Sequence, residues 1–154
     1  MVPFDAAQAC FDNNVMSLGS IDLAPLRRAL GWLNEALMLW RAQADGSVLK
    51  PHLRLAVIQS FEYCYELSVR GLRRVRIERA ITSDRVADQS FNELLRSAAD
   101  AALIDDLVAW RAWRELRNAT SHAYDETKAQ RVAEQAEGFA VDAAALLAAL
   151  EASV

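Results

Sequence analysis

"VIQSFEYCYELSVRGLRRV", residues 57–75, sets the fold class. Ile58, Phe61, Tyr65, Ser68, Leu72 and Val75 recur in alternating steps of three and four. That spacing gathers side chains on one face of an α-helix. Ser68 is the one polar residue in the stripe. The pattern predicts a helix from about Pro51 to Ala80. Its last part carries Arg70, Arg73, Arg74, Arg76 and Arg79. This set reads either as a solvated face whose cations suit the negative end of the helix, or as a patch that attracts phosphate.

The same period recurs on both sides of this stretch. Leu26, Leu30, Leu33, Leu37 and Trp40 predict a helix from about Asp22 to Gln43, with Asp22 as N-cap and Pro25 tolerated in the first turn. "ADGSVLKP", residues 44–51, reads as a loop punctuated by Gly46 and Pro51. "TSDRVADQ", residues 82–89, is a second connector. In "SFNE", residues 90–93, Ser90 and Glu93 are placed as a capping box, which starts a short helix over about 91–101. A fourth helix begins near Asp105 and runs through Leu107, Trp110 and Leu116 towards His122. Val132, Ala136, Phe139, Ala143, Leu146 and Leu150 predict the last, from about Glu126 to Ala152, with Asp125 as its N-cap. No segment alternates with period two for long enough to be a strand. Residues 1–20 show no clear period and read as a lead-in segment, leaving 21–154 as one helical domain. The expected architecture is all-α, an antiparallel bundle of four to five helices.

A chain of 154 residues is long enough to bury roughly 70% of its unfolded surface. Its hydrophobic fraction of 53% and charged fraction of 25% are those of a globular protein rather than a disordered one. The net charge of −4 gives none of the basic surplus of a protein built chiefly to hold nucleic acid. Cys10 and Cys64 lie outside any metal-ligand or redox spacing and read as free thiols of a reducing compartment. No apolar run approaches the ~20 residues of a membrane span. The start, "MVPFDAAQACFDNN", carries acids and lacks the basic region of a signal peptide. These features lead to the expectation of a cytoplasmic protein. His52 and His122 alone, with no cysteine cluster, predict no metal site. Neither a phosphate-binding GxxxxGK[ST] loop, a GxGxxG turn nor a nucleophile elbow is present, so no cofactor is expected.

"ELRNATSHAYDE", residues 115–126, holds the candidate site. On a helix each residue turns about 100°, so Arg117, Ser121 and Tyr124 share one stripe, and Asn118, His122 and Asp125 the adjacent one. Arg117 and His122 would stand about 140° apart on an unbroken helix. Either the helix breaks near "NATS", or the two meet through a second copy of the chain. By themselves these residues also fit an ordinary helix end. There Arg and His complement the dipole, and Asn118 and Ser121 satisfy backbone groups. Glu62 and Glu66, one turn apart, could line a cleft or serve in structural ion pairs. Trp110 and Trp113 suit a core or an interface. The aromatic and arginine-rich strip from Trp110 to Arg117 reads as surplus to the core, and therefore as a dimer interface.

Arg-x4-His followed by x-Tyr resembles the motif of the HEPN superfamily. Within it the chain is similar to the nucleotidyltransferase substrate-binding proteins, relatives of HepT-type toxins. "VIQSFEYCYELSVRGLRR" resembles the family's "IQ-x-FEY-x-x-EL" helix, and "AALIDDLVAWRAWRELRNATSHAYDE", residues 101–126, its "GLIDD-x-x-x-W…RN-x-x-SH-x-YDE" segment. Gly71 departs from the pattern, where a longer side chain is common, and "AYDE" replaces the frequent "TYDE". The resemblance implies a HEPN-like bundle that dimerises so that two motifs face one cleft. It also implies metal-independent RNA cleavage, with His122 as general acid or base and Arg117 holding the scissile phosphate. Asn118 and Ser121 would assist. Tyr124 would accept AMP from a partner minimal nucleotidyltransferase that silences the toxin, the homodimer sitting within a hetero-oligomer with that transferase. Three functions stay open: a ribonuclease toxin acting on RNA, a non-catalytic subunit that binds a nucleotide or other substrate for the transferase, and a structural adaptor.

Overall fold

The computed structural model describes residues 21–79 and 90–154. Among these, five α-helices form an all-α bundle: α1 (Ala24–Ala42), α2 (Leu49–Arg79), α3 (Phe91–Asp100), α4 (Leu107–Ala119) and α5 (Glu126–Glu151). A 3₁₀ turn, Thr120–His122, separates α4 from α5. The apolar stripes read from the sequence are the buried faces of α1, α2 and α5. Ser68 lies within the α2 stripe without an orphaned hydroxyl, because Oγ donates to the Cys64 carbonyl one turn earlier at 2.8 Å. Cys64 is buried, and burial pushes its thiol up to about 12, which keeps it protonated and inert. The lead-in segment, Cys10 and the "TSDRVADQ" connector lie outside the described residues.

Ion pairs fix the helix directions. Arg27 meets Glu151 and Arg41 meets Glu137, so α1 and α5 run antiparallel. Arg54 reaches Gln130 at 3.2 Å near the start of both α2 and α5, while Gly71 lies against Leu150 near their far ends; these two helices are parallel. Asp106 and Trp110 face Leu146 and Ala149, and Trp113 lies on Gly138, so α4 runs antiparallel to α5. The antiparallel bundle is therefore α1, α2, α4 and α5, with α3 as a short helix beside α2 and α4. No helix among the described residues is long and apolar enough to cross a membrane.

The helix ends follow local chemistry, with two departures from expectation. Ser90 and Glu93 form the capping box of α3, and Asp125 caps α5 by accepting from Lys128 N at 3.1 Å. Asp22 is not the cap residue of α1. That position is Leu23, while the Asp22 carboxylate accepts from Ala24 N at 2.9 Å from one residue further out. α2 starts at Leu49 rather than near Pro51, because a proline in the first turn removes an N–H that has no helical partner anyway. Ser47 Oγ accepts from Leu49 N at 3.3 Å and supports this earlier start.

α3 ends in a Schellman motif: Leu103 N donates to Ala98 O and Ala102 N to Ala99 O, both at 2.9 Å. This geometry puts Ala102 at φ 55°, a conformation that glycine adopts without steric cost. Ala102→Gly is expected to stabilise the protein by about 0.5–1 kcal/mol, the relief of left-handed strain less the added unfolded-state entropy. The midpoint of urea unfolding at constant m-value checks this. A lower midpoint would show that the strain is negligible.

Candidate functional site

The motif sits where α4 ends. Ala119 is the last α-helical residue, and "TSH" continues as a 3₁₀ turn. The sequence favours this break locally. Thr120 Oγ1 lies 2.7 Å from the Arg117 carbonyl oxygen, and Ser121 Oγ donates to the Asn118 carbonyl at 2.8 Å. The Thr120 N–H already reaches the carbonyls of Arg117 and Asn118, and the two hydroxyls lie against the same carbonyls, a local competition with the helical pattern that favours its end here. Ser121 thus has the backbone role weighed for it, and Asn118 is exposed and contributes its carbonyl oxygen. The helix breaks at "NATS", the first of the two alternatives posed by the 140° separation. Arg117 and His122 nevertheless have separate partners within the chain.

Arg117 faces α2. Its Nη2 donates to Glu66 Oε1 at 2.7 Å, and its Nη1 lies 3.4 Å from Glu62 Oε1 and 3.3 Å from Thr120 Oγ1. Thr120 Oγ1 also makes a close hydrogen bond to Glu62 Oε1. The hydrogen bond to Glu66 raises the Arg117 pKa; burial opposes this, and the negative charges of Glu62 and Glu66 add to the rise. Arg117 is a permanent cation facing two carboxylates. Behind it, the buried Tyr65 phenol is pushed up to about 12 by burial, against the pull of Arg114 and Arg117, and stays neutral. Glu62 and Glu66 thus meet the motif directly.

His122 and Tyr124 form the second half. The Tyr124 hydroxyl lies 3.4 Å from His122 Nδ1, with the rings 6.0 Å apart and inclined by 70°. Tyr124 is 85% exposed, and His122 is exposed as well. An imidazole with one nitrogen held by a phenol and the other ring edge open to solvent can exchange protons with an incoming hydroxyl.

Thr120 escaped the sequence reading, which weighed Asn118 and Ser121 instead. The signal that could have found it is its place three residues after Arg117, within reach on a helical turn. The strip from Trp110 to Arg117 is not surplus to the core. Trp110 is buried against Phe139, and Trp113 lies over Gly138 with Nε1 donating to Asp142 Oδ2 at 2.7 Å. A side chain at 138 would crowd that indole, since a Cβ there would stand 3.1 Å from it.

Comparison with known proteins bears on this arrangement. A Haemophilus influenzae protein named "Probable ribonuclease HepT" is 38% identical over 101 residues, covering 66% of this chain and 69% of the relative. A solved structure from the same species, described as the fold of a substrate binding domain of a nucleotidyltransferase, superposes with a TM-score of 0.78 at 32% identity. That match covers 84% of this chain and 99% of the other. The family model described as "Nucleotidyltransferase substrate binding protein like" matches residues 21–152, from the start of α1 to the end of α5. The chain belongs to the nucleotidyltransferase substrate-binding protein-like family.

Proposed function

We propose that this protein is a HEPN-type ribonuclease of a toxin–antitoxin pair, silenced when a small partner nucleotidyltransferase transfers AMP to Tyr124. The observation that carries the reading is the contact between the Tyr124 hydroxyl and His122 Nδ1 on an exposed surface. The kinship with a relative named as a ribonuclease supports it.

In this reading neutral His122 takes the proton of a ribose 2′-hydroxyl, and the 2′-oxygen attacks the adjacent phosphorus. Arg117 stabilises the extra negative charge of the phosphorane through its planar fork of donors. An imidazolium returns a proton to the departing 5′-oxygen, leaving a 2′,3′-cyclic phosphate and a 5′-hydroxyl. The active unit is a homodimer in which each cleft draws on both motifs. The half-exposed Leu55 and Tyr63 on α2, together with Tyr124, supply apolar surface for that association. Silencing is electrostatic and steric. The Tyr124 oxygen attacks the α-phosphorus of ATP and pyrophosphate leaves. A phosphodiester anion with its nucleoside then stands beside His122, where it repels RNA phosphate and covers the imidazole.

A second reading, a non-catalytic subunit that presents a substrate to the transferase, is favoured by the two carboxylates that already occupy Arg117. One experiment separates them. Incubation with the cognate transferase, ATP and Mg²⁺ is expected to add one AMP unit to the peptide containing Tyr124, none to Tyr124→Phe, and to abolish RNA cleavage in step. Stable binding of the transferase with no adduct on that peptide would leave the substrate-presenting subunit in first place.

A further inference from the structure

We infer that Arg117 has two unlike partners: Thr120 with Glu62 is an anchor that positions the guanidinium, and Glu66 is a latch that an incoming phosphodiester displaces. The inference rests on the reading of Arg117 as the RNA phosphate ligand.

The asymmetry is geometric. Thr120 is buried, and its hydroxyl meets the Arg117 carbonyl, Arg117 Nη1 and Glu62 Oε1. It therefore ties the end of α4 to α2 and fixes one edge of the guanidinium. Glu62 is the more buried carboxylate, its side chain 22% exposed. Glu66 takes the other nitrogen, Nη2, and its side chain is 50% exposed. With both terminal nitrogens engaged, the end-on Nη1/Nη2 pair of Arg117 is taken up, and a phosphate that uses this pair must displace one partner. The Glu66 contact is the shorter of the two, but it is the one solvent reaches, so water screens it and the freed carboxylate regains hydration when it leaves. Losing Glu62 instead would also cut the link from Thr120 to α2, leaving the hydroxyl only the Arg117 carbonyl of its own helix as acceptor.

Charge points the same way. One guanidinium against two carboxylates leaves a formal excess of one negative charge on this face. A phosphodiester approaching Arg117 is repelled by that excess and must compete with Glu66 for Nη2. Neutralising Glu66 removes the repulsion and weakens the competition for Nη2, whereas removing the Thr120 hydroxyl loosens the arginine that phosphate needs. The two changes have opposite signs, which a purely structural role for either residue does not produce.

The test is binding of a fluorescent 2′-O-methyl oligoribonucleotide, which lacks the attacking hydroxyl and so reports affinity apart from chemistry. Glu66→Gln, which keeps the shape and an oxygen acceptor, is expected to bind roughly two- to fivefold tighter than wild type, the release of one exposed ion pair. With a cleavable RNA the gain is expected in KM rather than in kcat. Thr120→Val is expected to bind more weakly, and Thr120→Ser to recover wild-type affinity. Thermal melts of both Thr120 variants identify any loss of fold, and Glu66→Gln carries the test alone if Thr120→Val unfolds. Equal or weaker binding by Glu66→Gln overturns the latch, and wild-type binding by folded Thr120→Val overturns the anchor. Tighter binding by Glu66→Gln without RNA cleavage by wild type upholds the latch and removes the ribonuclease. Cleavage by wild type with unaltered Glu66→Gln affinity does the reverse, and no oligonucleotide binding by either protein removes both.

Discussion

His122→Ala is expected to leave the bundle folded and to lower RNA cleavage by roughly 10²–10⁴-fold, the usual contribution of a positioned proton-transfer group. The fold survives because His122 is exposed, sits in a 3₁₀ turn, and has the Tyr124 side chain as its ring partner. A change at such a place costs within about 0.5 kcal/mol. Arg117→Ala is expected to lose a similar factor in rate, since phosphorane charge is then left to water. It costs more in stability, up to about 1 kcal/mol, because Glu62 and Glu66 lose their cation. Arg117→Lys keeps the charge without the planar fork and should recover little activity. The double variant should be barely slower than either single one, as residues that act in one step are non-additive. EDTA should leave the rate unaltered, since the proposed step routes its charge through Arg117. The measurement is single-turnover cleavage by wild type and variants, each purified free of the transferase and matched in melting temperature. Equal rates for wild type and His122→Ala would remove the catalytic assignment.

What the sequence made legible is what depends on neighbours along the chain. The stripes of α1, α2 and α5, the Ser90–Glu93 capping box and the Asp125 cap rest on spacings of three or four residues, which a single helix turn enforces. The break at "NATS" is equally local, since the Thr120 N–H and the Thr120 and Ser121 hydroxyls all lie against the carbonyls of Arg117 and Asn118. The partners of Arg117 are not local. Glu66 is 51 residues away, and its meeting with Arg117 depends on the register in which α4 packs on α2. That register is set by the fit of Trp110 and Trp113 against Phe139, Gly138 and Asp142. A lone glycine and a lone aspartate on α5 gave no sign that an indole would lie between them, so the tryptophan strip read as surface. Thr120 was obscured for a related reason, since its value lies in joining Arg117 to Glu62 across two helices.

Phe139→Ala is expected to cost about 3–5 kcal/mol, the range for removing a buried aromatic ring. The Phe139 ring is fully buried and meets four others: Phe61 at 5.0 Å, Trp113 at 6.0 Å, Trp110 at 6.1 Å and Tyr65 at 6.2 Å. Three of these contacts are edge-on, the preferred arrangement of aromatic rings. Through them one residue of α5 joins α2 to α4. A domain of this size has about 5–15 kcal/mol of total stability, so the loss is a large share of it. It should also fall unevenly. The buried residues of α4 are Trp110 and Leu116, and Trp110 leans on Phe139. With the ring gone, α4, which bears Arg117, and the turn that bears His122 are expected to open before α1 and α2, which share a long buried seam. Hydrogen exchange should then show faster exchange over residues 107–122 than over α1, and activity should fall at temperatures where the far-ultraviolet helical signal persists. Phe139→Leu, which refills most of the volume, should recover more than half of the lost stability. A cost below about 1 kcal/mol for Phe139→Ala, or uniform exchange across the bundle, would mean that α4 is held by something other than this ring junction.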